Sequence, residues 1–296
     1  MLLPTVHVVG NAALDETFRL DRLPRPGASA LAEEAGRDLG GKGANVAVAF
    51  ARAGLPTRFV AAVGRDAAGD ALRARLAAEG LSGALHAVDA PTDRSLILVE
   101  AGGENVVVTT RAAAAALTPA LAEAALETAR PGDLVALQLN LSLGATLAVL
   151  AAARARGCAT ALNPSPLGGP VPDDVWPLVD TAFLNAGEAA ALGGAEALHA
   201  RGVARVVVTL GARGASMSGA EGALSVLAEP ASAVDPTGAG DAFMAVALAS
   251  ALRRGASLDG RALRHGARAA AVVVARPGAV AALPSPEEMA AILATS

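Results

Sequence analysis

Residues 235–243 read Asp235-Pro236-Thr237-Gly238-Ala239-Gly240-Asp241-Ala242-Phe243, and an apolar run from Phe243 to Leu252 follows them directly. The run has the spacing of a buried helix, so the segment is predicted to be a loop that enters a helix N-terminus. The first N–H groups of a helix have no partner inside the helix, and with the helix dipole they attract anions. Gly238 and Gly240 lack side chains that would keep a phosphate away from those groups. The stretch therefore predicts an anion site.

Asp241 lies in the first turn of this predicted helix, and two interpretations of it are open. A carboxylate there can accept a proton from a hydroxyl held nearby, and phosphoryl transfer to an alcohol needs such a base beside an anion site. An acidic residue in a first turn also stabilises the helix dipole without any catalytic role. The rest of the chain has to decide between the two.

The composition excludes several classes of protein. The chain has 296 residues, of which 53% are apolar and 18% charged, with a net charge of −4. These values exclude a disordered chain, and the absence of a basic run argues against a nucleic acid partner. The start of the chain lacks the pattern of a signal peptide, and no apolar segment reaches the roughly 18 residues of a membrane span. The sole cysteine, Cys158, can form no internal disulfide. We therefore expect a cytoplasmic protein without a membrane partner.

A second glycine-rich motif, Gly40-Gly41-Lys42-Gly43-Ala44-Asn45, precedes a helical run from Val46 to Ala53. No Ser or Thr follows the lysine, so the motif is not a Walker A loop. Lys42 and Asn45 can nevertheless bind hydroxyls or a phosphate. Lys42 is also the only lysine among the 24 basic residues, which indicates a need for a compact ammonium group at this position. A tight turn with a helix cap is the structural alternative.

Strands, polar turns and helices alternate along much of the chain, which predicts an α/β fold with a mainly parallel sheet and helices on both faces. The predicted strands are 5–9, 58–64, 134–139, 159–162, 181–184 and 205–209. Polar turns follow these strands and are expected to gather at one edge, where open α/β sheets bind ligands. Asp15 is expected in the polar connection after the first strand, and an ordinary solvated loop acid is the alternative to a binding role.

Two segments do not fit the alternation. Residues 95–100 and 105–110 are β-rich and are separated by a predicted hairpin turn at 101–104, and residues 18–39 are mixed with turn signals. We expect these segments to form a small separate sheet near the mouth of the site, where it can act as a lid. The prediction is one domain over residues 1–296, with lid segments at about 16–40 and 92–111 inserted. An exposed edge of such a sheet also suggests a homodimer contact.

The two glycine-rich motifs together resemble the two signature patterns of the ribokinase-like, or PfkB-type, carbohydrate kinases, in that family's order and spacing. Residues 185–188, Asn-Ala-Gly-Glu, resemble the family's Asn-x-x-Glu element. Residues 209–214, Thr-Leu-Gly-Ala-Arg-Gly, resemble its nucleotide-site strand and turn. The resemblance covers nearly the whole chain. It implies a ribokinase-like fold with a small β-sheet lid, and an ATP-dependent kinase that phosphorylates a sugar.

The resemblance assigns a role to each motif residue. Asp241 would be the base that deprotonates the acceptor hydroxyl, and the anion hole would consist of Gly238, Ala239 and Gly240. The residues that would hold the sugar are Asp15, Gly41, Lys42, Asn45 and Asn140. Those on the nucleotide side would be Asn185, Thr209, Gly211 and Gly214. Glu188 and Asn185 would organise Mg²⁺ through water, and Asp235 and Thr237 would contribute to a site for a monovalent cation such as K⁺.

Three positions depart from the ribokinase pattern. Ala13 and Asn140 stand where an Asn and a Glu that contact ribose are expected, and Ala282 stands where a Ser oxygen of the cation site is expected. Changed polar partners alter which hydroxyls a site can discriminate. The leading hypothesis is therefore a kinase for a polyhydroxylated sugar, a pentose or a ketohexose, without specifying ribose.

Two alternatives remain open. The first is a nucleoside kinase of the same family, although five Phe, one Trp and no Tyr supply few rings for stacking on a base. The second is a non-catalytic sugar or nucleotide sensor, which the retention of Asp241, Lys42 and both glycines of the anion hole disfavours.

Overall fold

The computed structural model describes residues 3–102 and 105–296. Met1 and Leu2, and with them the start of the chain used in the leader prediction, lie outside these ranges, as do Gly103 and Glu104 of the predicted hairpin turn.

The strands of the described chain are β1 (Val6–Val9), β2 (Ala13–Leu20), β3 (Glu33–Gly40), β4 (Thr57–Gly64), β5 (Ser82–Val88), β6 (Asp93–Glu100), β7 (Asn105–Thr109), β8 (Leu134–Gln138), β9 (Ala159–Asn163), β10 (Thr181–Asn185), β11 (Arg205–Thr209), β12 (Ala215–Gly219) and β13 (Gly222–Val226). The helices are α1 (Lys42–Arg52), α2 (Ala67–Ala77), α3 (Ala112–Ala116), α4 (Pro119–Ala124), α5 (Leu143–Ala155), α6 (Ala186–Ala191), α7 (Gly194–Ala200), α8 (Ala239–Arg254), α9 (Gly260–Val274) and α10 (Pro286–Ala294).

Nine of the strands form a large sheet in the order β13-β12-β11-β10-β9-β8-β1-β4-β5. The pairs from β11 to β5 are parallel, and only β12 and β13 add antiparallel strands at one edge. The predicted mainly parallel sheet is confirmed. Its central strands are short apolar runs buried on both faces, as parallel strands covered by helices are expected to be.

Helices cover both faces of the large sheet. Successive strand residues point to opposite faces, so Val8 packs in one hydrophobic cluster and Val9 in the other. The first cluster takes its helical side chains from α1, α2, α8, α9 and α10. The second takes them from α3, α4, α5, α6 and α7. This arrangement leaves the edge at the carboxyl ends of the parallel strands to be lined by turns and helix N-termini.

A small sheet of four strands, in the order β3-β2-β6-β7, stands apart from the large one. It pairs β2 with β3 antiparallel, β2 with β6 parallel, and β6 with β7 antiparallel. The predicted pairing of the first lid segment with the 95–110 region is therefore confirmed. The strands begin at Ala13, earlier than the predicted boundary near residue 16.

The sequence suggested that Asp15 lies in a polar connection, and this prediction is wrong because Asp15 lies within β2. The chain passes directly from the large sheet into the small one after Asn11 and Ala12, so a polar residue at that point belongs to a strand. The side chain is buried, which also excludes the solvated loop acid.

Strands β5, β12 and β13 are absent from the sequence prediction. Their sequences, SGALHAV, ASMSG and GALSV, are rich in Gly, Ala and Ser, which are poor strand formers. They are nevertheless paired at the two ends of the large sheet, where β4 and β11 supply the hydrogen-bonding partners. Helix α4 is short and ends at Ala124.

Across residues 3–102 and 105–296, the helices are either too short or too polar to span a bilayer.

Candidate active site

A cavity of about 770 Å³, called the cleft below, lies at the carboxyl ends of the parallel strands. Residues at or just beyond the ends of β1, β8, β9, β10 and β11 line it, namely Asn11, Asn140, Asn163, Asn185 and Thr209. The small sheet contributes Ser95, Ile97, Val107 and Thr109 to the opposite wall. This is the edge at which open α/β sheets bind ligands, and the prediction that polar turns gather there is confirmed.

The Gly40–Asn45 motif brings the start of α1 against the end of β1. Gly41 has a φ of 91°, and α1 begins at the next residue, Lys42. A Cβ on Gly43 would lie 2.7 Å from the backbone nitrogen and oxygen of Asn11, so only glycine permits this approach. The Asn11 side chain accepts a hydrogen bond from Gly43 N at 3.2 Å. The motif therefore holds Lys42 and Asn45 at the edge of the cleft.

The stretch at 235–243 forms a helix N-terminus, as predicted, with α8 beginning at Ala239 and Gly238 preceding it with a φ of 80°. Gly238 and Gly240 line the cleft, and a Cβ on Gly240 would meet no other atom within 4 Å. Ala239 is different, because its N–H donates to Pro236 O at 3.2 Å and it does not line the cleft. Within the described chain, the first-turn N–H groups nearest the cleft therefore belong to Gly240 and Asp241.

Asp241 lies at the meeting point of the two glycine-rich motifs. Its side chain is buried, with 4% of the residue exposed, and it lines the cleft. Asn45 Nδ2 donates to Asp241 Oδ2 at 2.8 Å, and Lys42 Nζ lies 3.9 Å from Asp241 Oδ1. Burial raises the pKa of Asp241 above its usual range, while the Lys42 ammonium and the Asn45 hydrogen bond oppose that rise. A carboxylate with a raised pKa is a stronger proton acceptor than a solvated one.

Asp15 is the second buried carboxyl group of the cleft. Burial raises its pKa to about 7, and neighbouring carboxylates, Asp38 first, add to the rise, while hydrogen bonding by Ser95 lowers it. Gly40 on β3 passes so close to this carboxyl group that only glycine fits, because a Cβ there would lie within 2.2 Å of all three carboxyl atoms of Asp15. The small sheet therefore places a carboxyl group with a raised pKa on the wall of the cleft.

Three buried side-chain oxygens of residues that line the cleft beside Asp241 have no hydrogen-bond partner within residues 3–102 and 105–296. They are the Oδ1 atoms of Asp15, Asn45 and Asn140. Each of these residues is at most 7% exposed and lines the cleft. Since buried polar groups in proteins are nearly always paired, these three acceptors are candidates for binding hydroxyl donors of a ligand.

Another part of the cleft is lined by Thr209, Leu210 and Gly211 at the end of β11, and by Asn185 through Glu188 at the end of β10. Asn185 and Glu188 form a reciprocal capping box, in which Glu188 N donates to Asn185 Oδ1 at 2.8 Å and Asn185 N donates to Glu188 Oε2 at 2.9 Å. The pairing fixes both side chains at the start of α6.

Gly214 does not line the cleft. Its φ is 93°, and a Cβ there would lie 2.0 Å from Val226 O, so the glycine is required by the turn that leads into β12 and by the approach of β13. The geometry gives this predicted nucleotide-site residue a structural role in the turn.

The predicted cation residues lie beside the cleft. Asp235 accepts hydrogen bonds from Thr237 N at 2.9 Å and Gly278 N at 3.0 Å, which ties the α8 entry loop to the turn after α9. Thr237 lines the cleft, and its buried Oγ1 has no partner among the described residues. Asp235 does not line the cleft, and Ala282 is fully buried.

Four residues that line the cleft received no site role from the sequence, namely Asn11, Ser95, Thr109 and Asn163. Asn11 and Asn163 follow strands in the same way as the predicted residues, so the strand-end rule could have found them. Ser95 and Thr109 reach the cleft only through the alternation of β6 and β7, which requires knowing which face of the small sheet points inward.

Comparisons with known proteins identify the family. The model of the pfkB family carbohydrate kinases matches residues 4–286. Ribokinase from Bacillus subtilis is 31% identical, over 97% of this chain and 99% of its own length.

Solved structures agree with this match. Ribokinase from Thermotoga maritima superposes with a TM-score of 0.87 at 29% identity, covering 99% of this chain and 100% of its own. Arabidopsis thaliana ribokinase in complex with ribose and ATP superposes with a TM-score of 0.84 at 26% identity, with both chains fully covered. The chain therefore belongs to the pfkB family of carbohydrate kinases, and its large sheet and small sheet are those of the ribokinase fold.

Proposed function

We propose that the enzyme phosphorylates a hydroxyl of a pentose or ketohexose with ATP, using Asp241 as the base and the α8 N-terminus as the anion hole. The observation that carries the proposal is the position of Asp241, buried in the first turn of α8 beside Lys42 and hydrogen-bonded to Asn45. A carboxylate that only stabilised the helix dipole would gain nothing from burial, which disfavours its charged form.

In the proposed reaction, the sugar hydroxyl oxygen attacks the γ-phosphorus of ATP while Asp241 accepts the hydroxyl proton. The bond from the γ-phosphorus to the β,γ-bridging oxygen breaks, and ADP leaves with the electron pair. The N–H groups of Gly240 and Asp241, at the positive end of the helix dipole, stabilise the charge on the transferring group. Gly238 forms the turn that orients these N–H groups. Ala239 does not take the role in the anion hole that the sequence assigned to it, because its N–H donates to Pro236 O.

The sugar lies against Asp15, Lys42, Asn45 and Asn140 in this proposal, with Gly41 giving the backbone room to approach. The three orphaned oxygens at this end support the assignment, since each can accept one hydroxyl hydrogen. The structure of Arabidopsis ribokinase with ribose and ATP supports a sugar and a nucleotide as the two ligands. ATP then takes the end of the cleft lined by Asn185, Thr209 and Gly211.

The donors present fit Mg²⁺ and K⁺. Among the described residues no three His, Cys, Asp or Glu side chains gather as a metal cluster, so Mg²⁺ would be held mainly by phosphates and water. The capping box engages Oε2 of Glu188, so Oε1 can accept from a metal-bound water, and Asn185 fixes its position. Mg²⁺, when bound, supplies charge neutralisation of the phosphates. A monovalent cation fits the orphaned Thr237 Oγ1, with Asp235 holding the two loops that would surround it.

We propose that residues 1–296 form one domain. The small sheet acts as a lid over the cleft, because its inner face supplies one wall of the cleft. Its outer face exposes Leu96, Val106 and Val108 by 40%, 43% and 55%. We propose that this face pairs with a second copy, which a monomeric mass in solution would refute. A cytoplasmic location is proposed from the supply of ATP there.

The test is a coupled assay of ADP release with Mg²⁺ over a panel of pentoses, ketohexoses and nucleosides. Sugar-dependent ADP formation supports the proposal. Nucleotide binding without turnover on any acceptor would instead indicate a sensor. Turnover on nucleosides alone would indicate a nucleoside kinase, a function that the single aromatic residue on the cleft wall within the described chain, Phe183, does not favour.

A further inference from the structure

A row of polar side chains crosses the inner face of the small sheet. The register places Asp38 opposite Asp15, Asp15 beside Ser95, and Ser95 opposite Thr109. Three of the four line the cleft, namely Asp15, Ser95 and Thr109. The row therefore continues along the wall of the cleft from the middle of the sheet to its edge strand, β7.

Hydrogen bonding gives this row a direction. Thr109 Oγ1 donates to Ser95 Oγ at 3.2 Å. Ser95 lies beside Asp15 in the register of the sheet, and its hydroxyl opposes the rise in the pKa of Asp15. A hydroxyl has one hydrogen and two acceptor lone pairs. Because Thr109 gives its one hydrogen to Ser95, the lone pairs of Thr109 can only accept. The edge of the row thus presents an oxygen that recognises a hydroxyl donor.

The number of acceptor groups in the cleft can be compared with the number of hydroxyls in each class of sugar. Asp241 takes the proton of the attacking hydroxyl, and the orphaned Oδ1 atoms of Asp15, Asn45 and Asn140 can take three more hydroxyls. A pentofuranose has four hydroxyls in all, which these four groups satisfy. A ketohexofuranose has five, and the Ser95–Thr109 pair is the remaining polar group of the small-sheet wall, beside the apolar Ile97 and Val107.

We propose that Ser95 and Thr109 form a specificity pair that recognises the additional hydroxyl of a ketohexose and so selects it over a pentose. The inference rests on the proposed kinase function and deepens it by choosing between the two sugar classes. Thr109 makes the contact with the substrate, and Ser95 is a positioning residue that orients the Thr109 hydroxyl.

The experiment measures kcat/KM for D-ketohexoses (fructose, tagatose, psicose and sorbose) and for D-ribose and D-xylulose in the wild type, Thr109→Val and Ser95→Ala. Valine keeps the shape and strand preference of threonine, so the edge strand is retained. Thr17→Val is the matched control, because Thr17 lies on the same face in the neighbouring row, opposite Ile97, and does not line the cleft.

The wild type is expected to prefer a ketohexose. Thr109→Val should lower kcat/KM for that ketohexose about tenfold or more and leave the pentose values within about twofold, since a lost hydrogen bond leaves the additional hydroxyl unpaired. Ser95→Ala should follow the same pattern, and Thr17→Val should change neither.

A wild-type preference for the pentose, or an equal loss on both sugars in Thr109→Val, would overturn the inference and leave the kinase proposal standing. Absence of turnover on every sugar in the wild type would overturn the kinase proposal itself.

Discussion

Replacing Asp241 with Asn separates catalysis from folding in this enzyme. The asparagine has the same shape and keeps one oxygen that can accept from Asn45 Nδ2, the donor that lies 2.8 Å from Asp241 Oδ2 in the native site. It cannot take a proton from the acceptor hydroxyl, and its amide cannot pair with the Lys42 ammonium 3.9 Å from Oδ1. General-base catalysis contributes about 10²–10⁴ in rate. We therefore expect kcat to fall by about 10² or more, equivalent to roughly 3 kcal/mol of transition-state stabilisation.

The Asp241→Asn variant should lose activity without losing stability. Burial raises the folded-state pKa of Asp241, so its favourable contribution to stability is complete below the unfolded pKa and is lost as pH rises through the folded value. At pH 8 the neutral asparagine avoids the cost of a buried charge. The variant should consequently unfold at the same temperature as the wild type or at a higher one.

The assay combines initial rates of ADP release at saturating sugar and ATP with thermal unfolding and nucleotide titration at pH 8. Asp70→Asn, which removes an exposed carboxylate on α2, is the control and should leave all three unchanged. A kcat within threefold of the wild type would remove Asp241 from the role of base. A nucleotide Kd weakened a hundredfold would show instead that the residue acts in binding.

Three further outcomes are expected. In the wild type, stability should fall as pH rises from about 4 to about 7, because a folded-state pKa of about 7 opposes the ionisation of Asp15 only in the folded protein. Asp15→Asn should remove this fall. Urea unfolding at several pH values checks the prediction, and parallel pH profiles of the two proteins would contradict it. Gly214→Ala should lower the free energy of unfolding by about 1–3 kcal/mol through backbone strain, with a further loss from the clash of the new Cβ with Val226 O. Gly222→Ala is the control, because Gly222 also has a positive φ but a Cβ there would meet no atom within 4 Å. Equal losses in the two variants would refute the clash. Glu188→Gln should raise the Mg²⁺ concentration needed for half-maximal turnover several-fold, and an unchanged Mg²⁺ titration would exclude Glu188 from the metal site.

The large sheet was predictable because its central strands are apolar runs that need two covered faces, and because turns rich in Gly, Asn and Asp follow them. The edge strands were not, since β12 and β13 consist largely of small residues and are held in place by pairing with β11 and with each other. Local preference cannot reveal pairing that the neighbouring strand imposes.

The site was predictable where a residue follows a strand or opens a helix. Lys42, Asn45 and Asp241 meet as the two motifs indicated, although the contact between Asn45 and Asp241 joins residues far apart in sequence and needed the structure. The burial of Asp15 was not predictable, because it depends on Gly40 passing across its carboxyl group from the paired strand. The N–H of Ala239 was assigned to the anion hole from its place in the motif, and only the loop geometry shows that Pro236 O engages it.

The most direct test of the central claim is phosphorus NMR of the wild-type enzyme with ATP, Mg²⁺ and the best sugar of the panel. We expect the γ-phosphate signal to be replaced by the β-phosphate signal of ADP and by an equal phosphomonoester signal that splits through coupling to the sugar protons. A signal of inorganic phosphate in place of the phosphomonoester, or no loss of ATP with any acceptor, would contradict it.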